Sequence, residues 1–248
     1  MRMEAAAGSI ALLLALTACA QGGSGRSAPP PTTSGGSPTT TSPAKAPSSS
    51  TPATSDLGAH TAADLVLTTK DVNQRWRKDS PNTRDASPFT TSRQCSAFSR
   101  NSYLATDGAD VAIVGFFDPK ASAVTDGGQV VRLYRTAAAA RAWVEYARGV
   151  WTACGSFREG PSRGAAFEIH ALTFHTELYG DQVFGWREST SLPGIDFSSS
   201  TWRIAARYGS AISIVEVTAP DDADSLGRYS LSELAKAADA KLRKAGLG

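Results

Sequence analysis

The stretch WRIAARYGSAISIVEVT, residues 202–218, decides the fold. Two runs rich in β-branched and aromatic residues flank the pair Gly209-Ser210. A two-residue Gly-X connection suits a type II′ turn, because glycine accepts positive φ at its first position. The segment therefore reads as an antiparallel hairpin, Trp202 to Tyr208 and Ala211 to Thr218. Upstream, Gln182 to Glu188 reads as another strand. Ala165 to Leu178 alternates, with Phe167, Ile169, Ala171 and Thr173 on one face and Glu168, His170, Leu172 and Phe174 on the other. Downstream, Ser230 and Glu233 have the spacing of a capping box, and Leu231, Leu234, Ala235, Ala238 and Leu242 form one stripe of a helix. Lys241, Arg243 and Lys244 suit the negative end of its dipole, and Gly246 closes it.

Further out, Val111 to Phe117 is a compact apolar strand ended by Asp118-Pro119, and Gly127-Gly128 opens a second strand, Gln129 to Arg135. From Thr136 runs a long helix whose Trp143, Val144, Ala147, Val150, Trp151 and Cys154 share one face, with Gly155 as its stop. Thr68 and Asp71 resemble a capping box for a short helix through about Trp76, and 77–93, with Pro81 and Pro88, read as loop. Hairpin-linked strands with segregated helices indicate an α+β fold: an antiparallel sheet with helices packed on one face.

The N-terminus carries a different message. Arg2 precedes an Ala/Leu run, Ala11 to Leu16, too short for the roughly 20 residues a membrane helix needs. It reads as the apolar core of a signal peptide spanning 1–18. Leu16-Thr17-Ala18-Cys19 resembles a bacterial lipobox, in which the Cys19 thiol takes a thioether-linked diacylglycerol. Two or three acyl chains anchor stably where one binds only marginally. Residues 20–58 hold Gly, Ser, Thr, Pro and Ala, with Leu57 as the one large apolar side chain. Such composition buries too little apolar surface to offset backbone entropy, so 19–58 reads as the lipidated cysteine plus a disordered tether reaching on the order of 35 Å. The folded domain is then 59–248, of ordinary size for one domain.

A net charge of +2 supplies no field for nucleic acid, which is not an expected partner. Beyond Cys19, the remaining cysteines are Cys95 and Cys154. In an oxidising compartment such a pair reads as one disulfide, against two buried thiols or a redox pair, for which no CxxC spacing is present. There is no GxSxG, P-loop, HExxH or GxGxxG motif, so no cofactor is expected. Ser42-Pro43-Ala44-Lys45 spells SxxK inside the tether, where nothing organises a nucleophile. His170 and His175 fall on opposite strand faces, His60 lies near the tether, and Asp221-Asp222-Ala223-Asp224 lacks the glycine and distal glutamate of a calcium loop. No metal site is expected. Of five tryptophans, Trp143 and Trp151 follow the helical stripe, while Trp186 and Trp202 lie on strands and Trp76 ends the expected short helix. Trp186 and Trp202, with Tyr179, Arg187 and Arg207, are candidates for lining a cleft, and burial in the core is the competing reading for each.

Gln129 to Tyr134, the Ala-rich helix ending Val150-Trp151-Thr152-Ala153-Cys154-Gly155, and Arg207-Tyr208-Gly209-Ser210-Ala211-Ile212 before a strand and a final amphipathic helix resemble the PknH-like extracellular sensor domains of mycobacteria and related actinobacteria. The resemblance spans roughly 60–245. It implies an antiparallel sheet whose helices bound a cleft for an unidentified ligand, in domains carried either by receptor kinases or by free-standing lipoproteins. This sequence holds one candidate disulfide where the kinase ectodomain has two, and no kinase domain.

The expectation is a non-catalytic sensor or ligand-binding domain, lipid-anchored on the extracytoplasmic face of the cell membrane. Its partners would be the membrane, through the anchor, and a small envelope ligand or a membrane protein. A protein-interaction scaffold and, behind it, an envelope hydrolase are the alternatives. Mass spectrometry of the mature protein is expected to find Cys19 as the first residue, carrying diacylglycerol; an unmodified N-terminal residue would remove the anchor.

Overall fold

A central hairpin in this molecule is buried on both faces, and the rest of the domain is arranged around it. The structure, a computed structural model, describes residues 60–247 except 81–87, 102–106, 121–125, 175, 177–178 and 197. The signal segment, Cys19, the tether and His175 lie outside the described residues. The hairpin consists of β8 (Ser198–Tyr208) and β9 (Ala211–Pro220), paired Tyr208 to Ala211 through Ser199 to Pro220. Gly209 sits at φ 55°, the backbone that its turn requires.

The hairpin forms the centre of a nine-stranded antiparallel sheet among the described residues. On one side lie β4 (Asp126–Leu133), β3 (Asp110–Phe117) and the edge strand β1 (Arg77–Asp79). On the other lie β7 (Gln182–Ser191), β6 (Phe167–Phe174), β5 (Ser156–Gly160) and the edge strand β2 (Phe89–Thr90). Among the described residues four α-helices accompany it: α1 (Ala62–Leu65), α2 (Arg93–Asn101), α3 (Ala137–Cys154) and α4 (Asp224–Lys244).

The α+β class and the antiparallel sheet agree with the sequence reading, but the helices cover both faces instead of one. In β9, Ala211, Val215, Val217 and Ala219 join a core beneath α1 and α4, whereas Ile212 and Ile214 join a second core beneath α2 and α3. Successive strand residues point to opposite faces, so a strand apolar at both parities needs cover on both. The run Ala211-Ile212-Ser213-Ile214-Val215 carried that information; its expected partner was a single helical layer.

Local departures have identifiable causes. Thr68 does bond the Asp71 carboxylate through its amide and hydroxyl, each at 2.8 Å. No helix follows, and the helical turn lies earlier, at α1, where Thr61 and Asp64 form the capping box. Segment 77–93 contributes the short strands β1 and β2, and α2 and β5 were not expected at all. α4 begins six residues before Ser230. Ser230 and Glu233 are not its cap: both receive the Arg75 guanidinium, Ser230 Oγ at 2.9 Å and Glu233 Oε2 at 2.5 Å. Arg75 also meets Asp118 at 3.2 Å and lies over the Trp76 ring, so the 68–76 segment clamps the middle of α4. Tyr208 donates to Asp239 at 2.8 Å further along α4; burial and that carboxylate hold its hydroxyl protonated far above the usual tyrosine range.

On the second face, α3 has Thr136 as its N-cap, accepting from the Ala139 amide at 3.2 Å. Cys154 at its end is joined to Cys95 in α2 by a disulfide, with Cα atoms 5.7 Å apart, within the usual bridging distance. The bridge, not a pair of buried thiols, is therefore the outcome for these cysteines. It closes 59 residues. Replacing both cysteines by serine is expected to lower the unfolding free energy by about 2–5 kcal/mol, near the chain-entropy value of about 4 for such a loop, read by chemical denaturation.

Candidate functional site

The two helical layers do not reach equally far. α4 packs along β4, β8 and β9 through Leu231, Leu234, Ala235, Ala238 and Leu242. Beyond it, the same face of β7 and β6 opens into a cleft of about 490 Å³, within the size range of small-molecule sites. Its walls are Leu172, Thr173, Phe174 and Thr176 from β6 and its end, Tyr179, Arg187 from β7, Trp202 and Ile204 from β8, and Arg228, Leu231 and Ser232 from α4.

Strand register explains who meets whom. Leu172 pairs with Arg187, and Arg187 with Trp202, which sets these three in a row across β6, β7 and β8. Leu172 is 62% exposed, on the open side, whereas Trp202 is 3% exposed beneath the α4 edge. Arg187 lies over the Trp202 ring, 5.1 Å from its centroid. Its Nε donates to Ser200 Oγ at 2.9 Å, and its Nη2 stands 3.6 Å from Asp221. Ser200 in turn donates to the same Asp221 carboxylate at 2.5 Å. The Asp221–Ala223 stretch is a single 3-10 turn that orients a cleft arginine.

Two glycines shape the walls. A Cβ at Gly227 would meet the Trp202 ring at 2.5 Å, so this α4 residue is what lets the helix close over the indole. A Cβ at Gly185 would lie 2.5 Å from the Phe174 ring, which occupies the space that β7 leaves open.

Of the five residues singled out from sequence, the structure brings Tyr179, Arg187 and Trp202 together on the cleft wall. It places Trp186 and Arg207 on the opposite face. Trp186 is 1% exposed, stacked between Phe184 at 4.9 Å and Trp151 at 5.5 Å, and the Arg203 guanidinium lies 5.9 Å from its ring centroid. Arg207 holds the β8–β9 turn, donating to the Gly209 carbonyl at 3.0 Å and pairing with Asp181 at 3.0 Å. Period-two alternation separates these residues: Trp186 and Arg187 are neighbours in sequence and cannot share a face. The same alternation marked Leu172 and Phe174 as sharing a face, a usable signal for the β6 wall. Arg228 joins the cleft beside Leu231 and Ser232 because α4 starts at Asp224, about a turn and a half before the cap expected at Ser230.

A second cavity, about 360 Å³, shares Thr173, Phe174 and Thr176 and continues to Arg148, Thr152, Val183, Phe184 and Gly185. His170 has a hydroxyl neighbour: its Nδ1 is 2.8 Å from Ser156 Oγ, at an exposed position. Among the described residues no carboxylate bonds its ring. No cluster of three His, Cys, Asp or Glu side chains fit to hold a metal occurs among them. No helix among them is long and apolar enough to cross a membrane.

No known family matches the sequence, and no curated protein matches it. In shape the chain is similar to the crystal structure of the extracellular domain of PknH from Mycobacterium tuberculosis, with a TM-score of 0.53 at 16% identity, over 74% of this chain and 95% of that one. The Mll3558 protein from Rhizobium loti aligns over 49% of this chain and 100% of its own at 14% identity, with a TM-score of 0.29, too low to carry an argument. The likeness to the PknH domain establishes a shared fold.

Gly227→Ala tests the closure of α4 over Trp202. Overpacking at about 1–3 kcal/mol outweighs the helix-propensity gain of about 1 kcal/mol, so a net loss of up to about 2 kcal/mol is expected in denaturation, with altered tryptophan emission.

Proposed function

We propose that this is a non-catalytic, ligand-binding domain of the sensor kind, displayed outside the membrane on a lipidated Cys19, with the cleft beside α4 as its binding site. The cleft carries the proposal: an apolar wall of Leu172, Phe174, Trp202, Ile204 and Leu231 with a few placed polar groups is the usual make-up of a small-molecule site. The shared fold supports it, since the PknH domain is an extracellular one. The lipobox-like Leu16 to Cys19 and the tether support display at the cell surface. The exposed Ser156–His170 pair gives an envelope hydrolase little to build on: among the described residues it has no hydrogen-bonded acid to orient the imidazole.

A thermal-shift screen of the mature chain against envelope lipids, glycans and peptidoglycan fragments tests the reading. At a hundredfold excess over Kd, a true ligand stabilises by about 2.7 kcal/mol, or about 5–10 °C for a domain of this size. Leu172→Glu places a charge on the exposed cleft wall and is expected to abolish that shift while leaving the unliganded Tm unchanged. A shift that survives Leu172→Glu would move the site elsewhere.

A further inference from the structure

Resting on that reading of the cleft, we propose a ligand class for it: an anionic amphiphile, with a carboxylate or phosphate head set against Arg187 and Arg228 and one short chain or ring along Leu172, Phe174, Ile204 and Leu231. Two elements distant in sequence, β7 and α4, each deliver one arginine to the lining, and no described lining residue is acidic. The Arg187 guanidinium is held before any ligand arrives. Ser200 takes its Nε, Asp221 stands at 3.6 Å, and the Trp202 ring lies beneath it. Asp221 orients this arginine without itself lining the cleft.

A guanidinium fork fixed in this way matches the paired oxygens of carboxylate or phosphate, and its weak hydration lowers the cost of stripping water at an apolar wall. Asp221 offsets part of the Arg187 charge, and a cationic head would still meet two guanidinium groups in a lining with no described carboxylate. The apolar side is equally marked, because Leu172 and Phe174 face the opening from the end of β6. A volume of about 490 Å³ suits a head and one short chain, and a two-chain lipid would have to leave most of itself outside.

The test compares decyl phosphate, decanoate, decanol and decyltrimethylammonium, all as monomers below micelle formation, by tryptophan fluorescence and calorimetry on the mature chain. The two anions are expected to bind one site at least tenfold more tightly than decanol, and the cationic probe more weakly than decanol. Arg228→Gln, at an exposed position, is expected to reduce the preference for the anions over decanol below threefold, and Arg187→Gln should act in the same direction. Phosphatidylglycerol vesicles that displace decyl phosphate assign the head to a bilayer lipid, and failure to displace assigns it to a free amphiphile. Both results support the anionic class. Equal binding of decanol and decyl phosphate in wild type and Arg228→Gln overturns that class and leaves the cleft standing as a site. If none of the four binds, the class is likewise overturned, and the Leu172→Glu result in the wider screen decides the cleft separately.

Discussion

A helix is about 10 Å across and neighbouring strands are about 4.8 Å apart, so one helix covers little more than two strands. That mismatch governs this domain. Nine strands cannot be sealed on the α4 face by a single long helix. α4 goes where the need is greatest, over β8 and β9, whose residues there are almost uniformly buried. Each leucine it buries contributes about 1.5–3 kcal/mol, and the Arg75 clamp and the Tyr208–Asp239 bond fix its position along the sheet. What remains uncovered is the same face of β6 and β7, and the cleft is that remainder. It exists because the sheet is wider than its cover, and Gly227 and Gly185 set how steep its walls are.

The opposite face is closed by a different device. α3 spans β6 through β9, and α2, linked to it by the Cys95–Cys154 bridge, extends the layer. Phe98 meets Trp143 and Trp151 between the helices, and Trp151 stacks on Trp186 in the sheet. Charge is also buried here. Arg203 bonds Glu188 and, at 2.8 Å, Glu216, while Ser99 donates to Glu188 at 2.9 Å. A buried carboxylate left without partners would be costly, so α2 supplies both apolar cover and a hydroxyl that β7 requires. Asp107 plays a similar part for Arg132: burial would raise its carboxyl, but the Tyr134 hydroxyl and the Arg132 guanidinium hold it below the usual range.

How much of this the sequence disclosed follows from which signals are local. The β8–β9 hairpin, the apolar face of α3, and the alternation of β6 depend on near neighbours and were legible. Three of the five candidate cleft residues reached the cleft. Trp186 and Arg207 did not, because a residue's type says it is large or charged, whereas its face follows from register against a partner strand. Ser230 and Glu233 misled for the same reason in reverse: a local spacing fitted a cap, and a distant Arg75 used both residues instead. The two-residue β2 is too short to show a period, and the buried face of α2 is Cys95, Ser96, Phe98 and Ser99, half of it hydroxyl side chains, so a search for apolar stripes passed over it.

The cleft shares one physical feature with most sites that recognise small ligands: its polar group is ordered in advance. Side chains as long as arginine lose roughly 2 kcal/mol of rotamer entropy when fixed, and a site that fixes them during folding spares the ligand that loss. Arg187 is fixed by Ser200, Asp221 and Trp202, all of them from β8 or the turn that follows β9. Those residues belong to the part of the sheet that α4 and the first core hold most firmly. The opposing wall, Leu172 and Phe174, comes from the second half of β6, which β5 does not pair, since β5 meets β6 only over Phe167 to His170. One wall is thus anchored in the core and the other lies on a less supported strand end. Any molecule that bridges them joins β6 to α4 through itself. In such an arrangement occupancy would be felt at the end of β6 and along α4, which couples the cleft to the two elements that bound it.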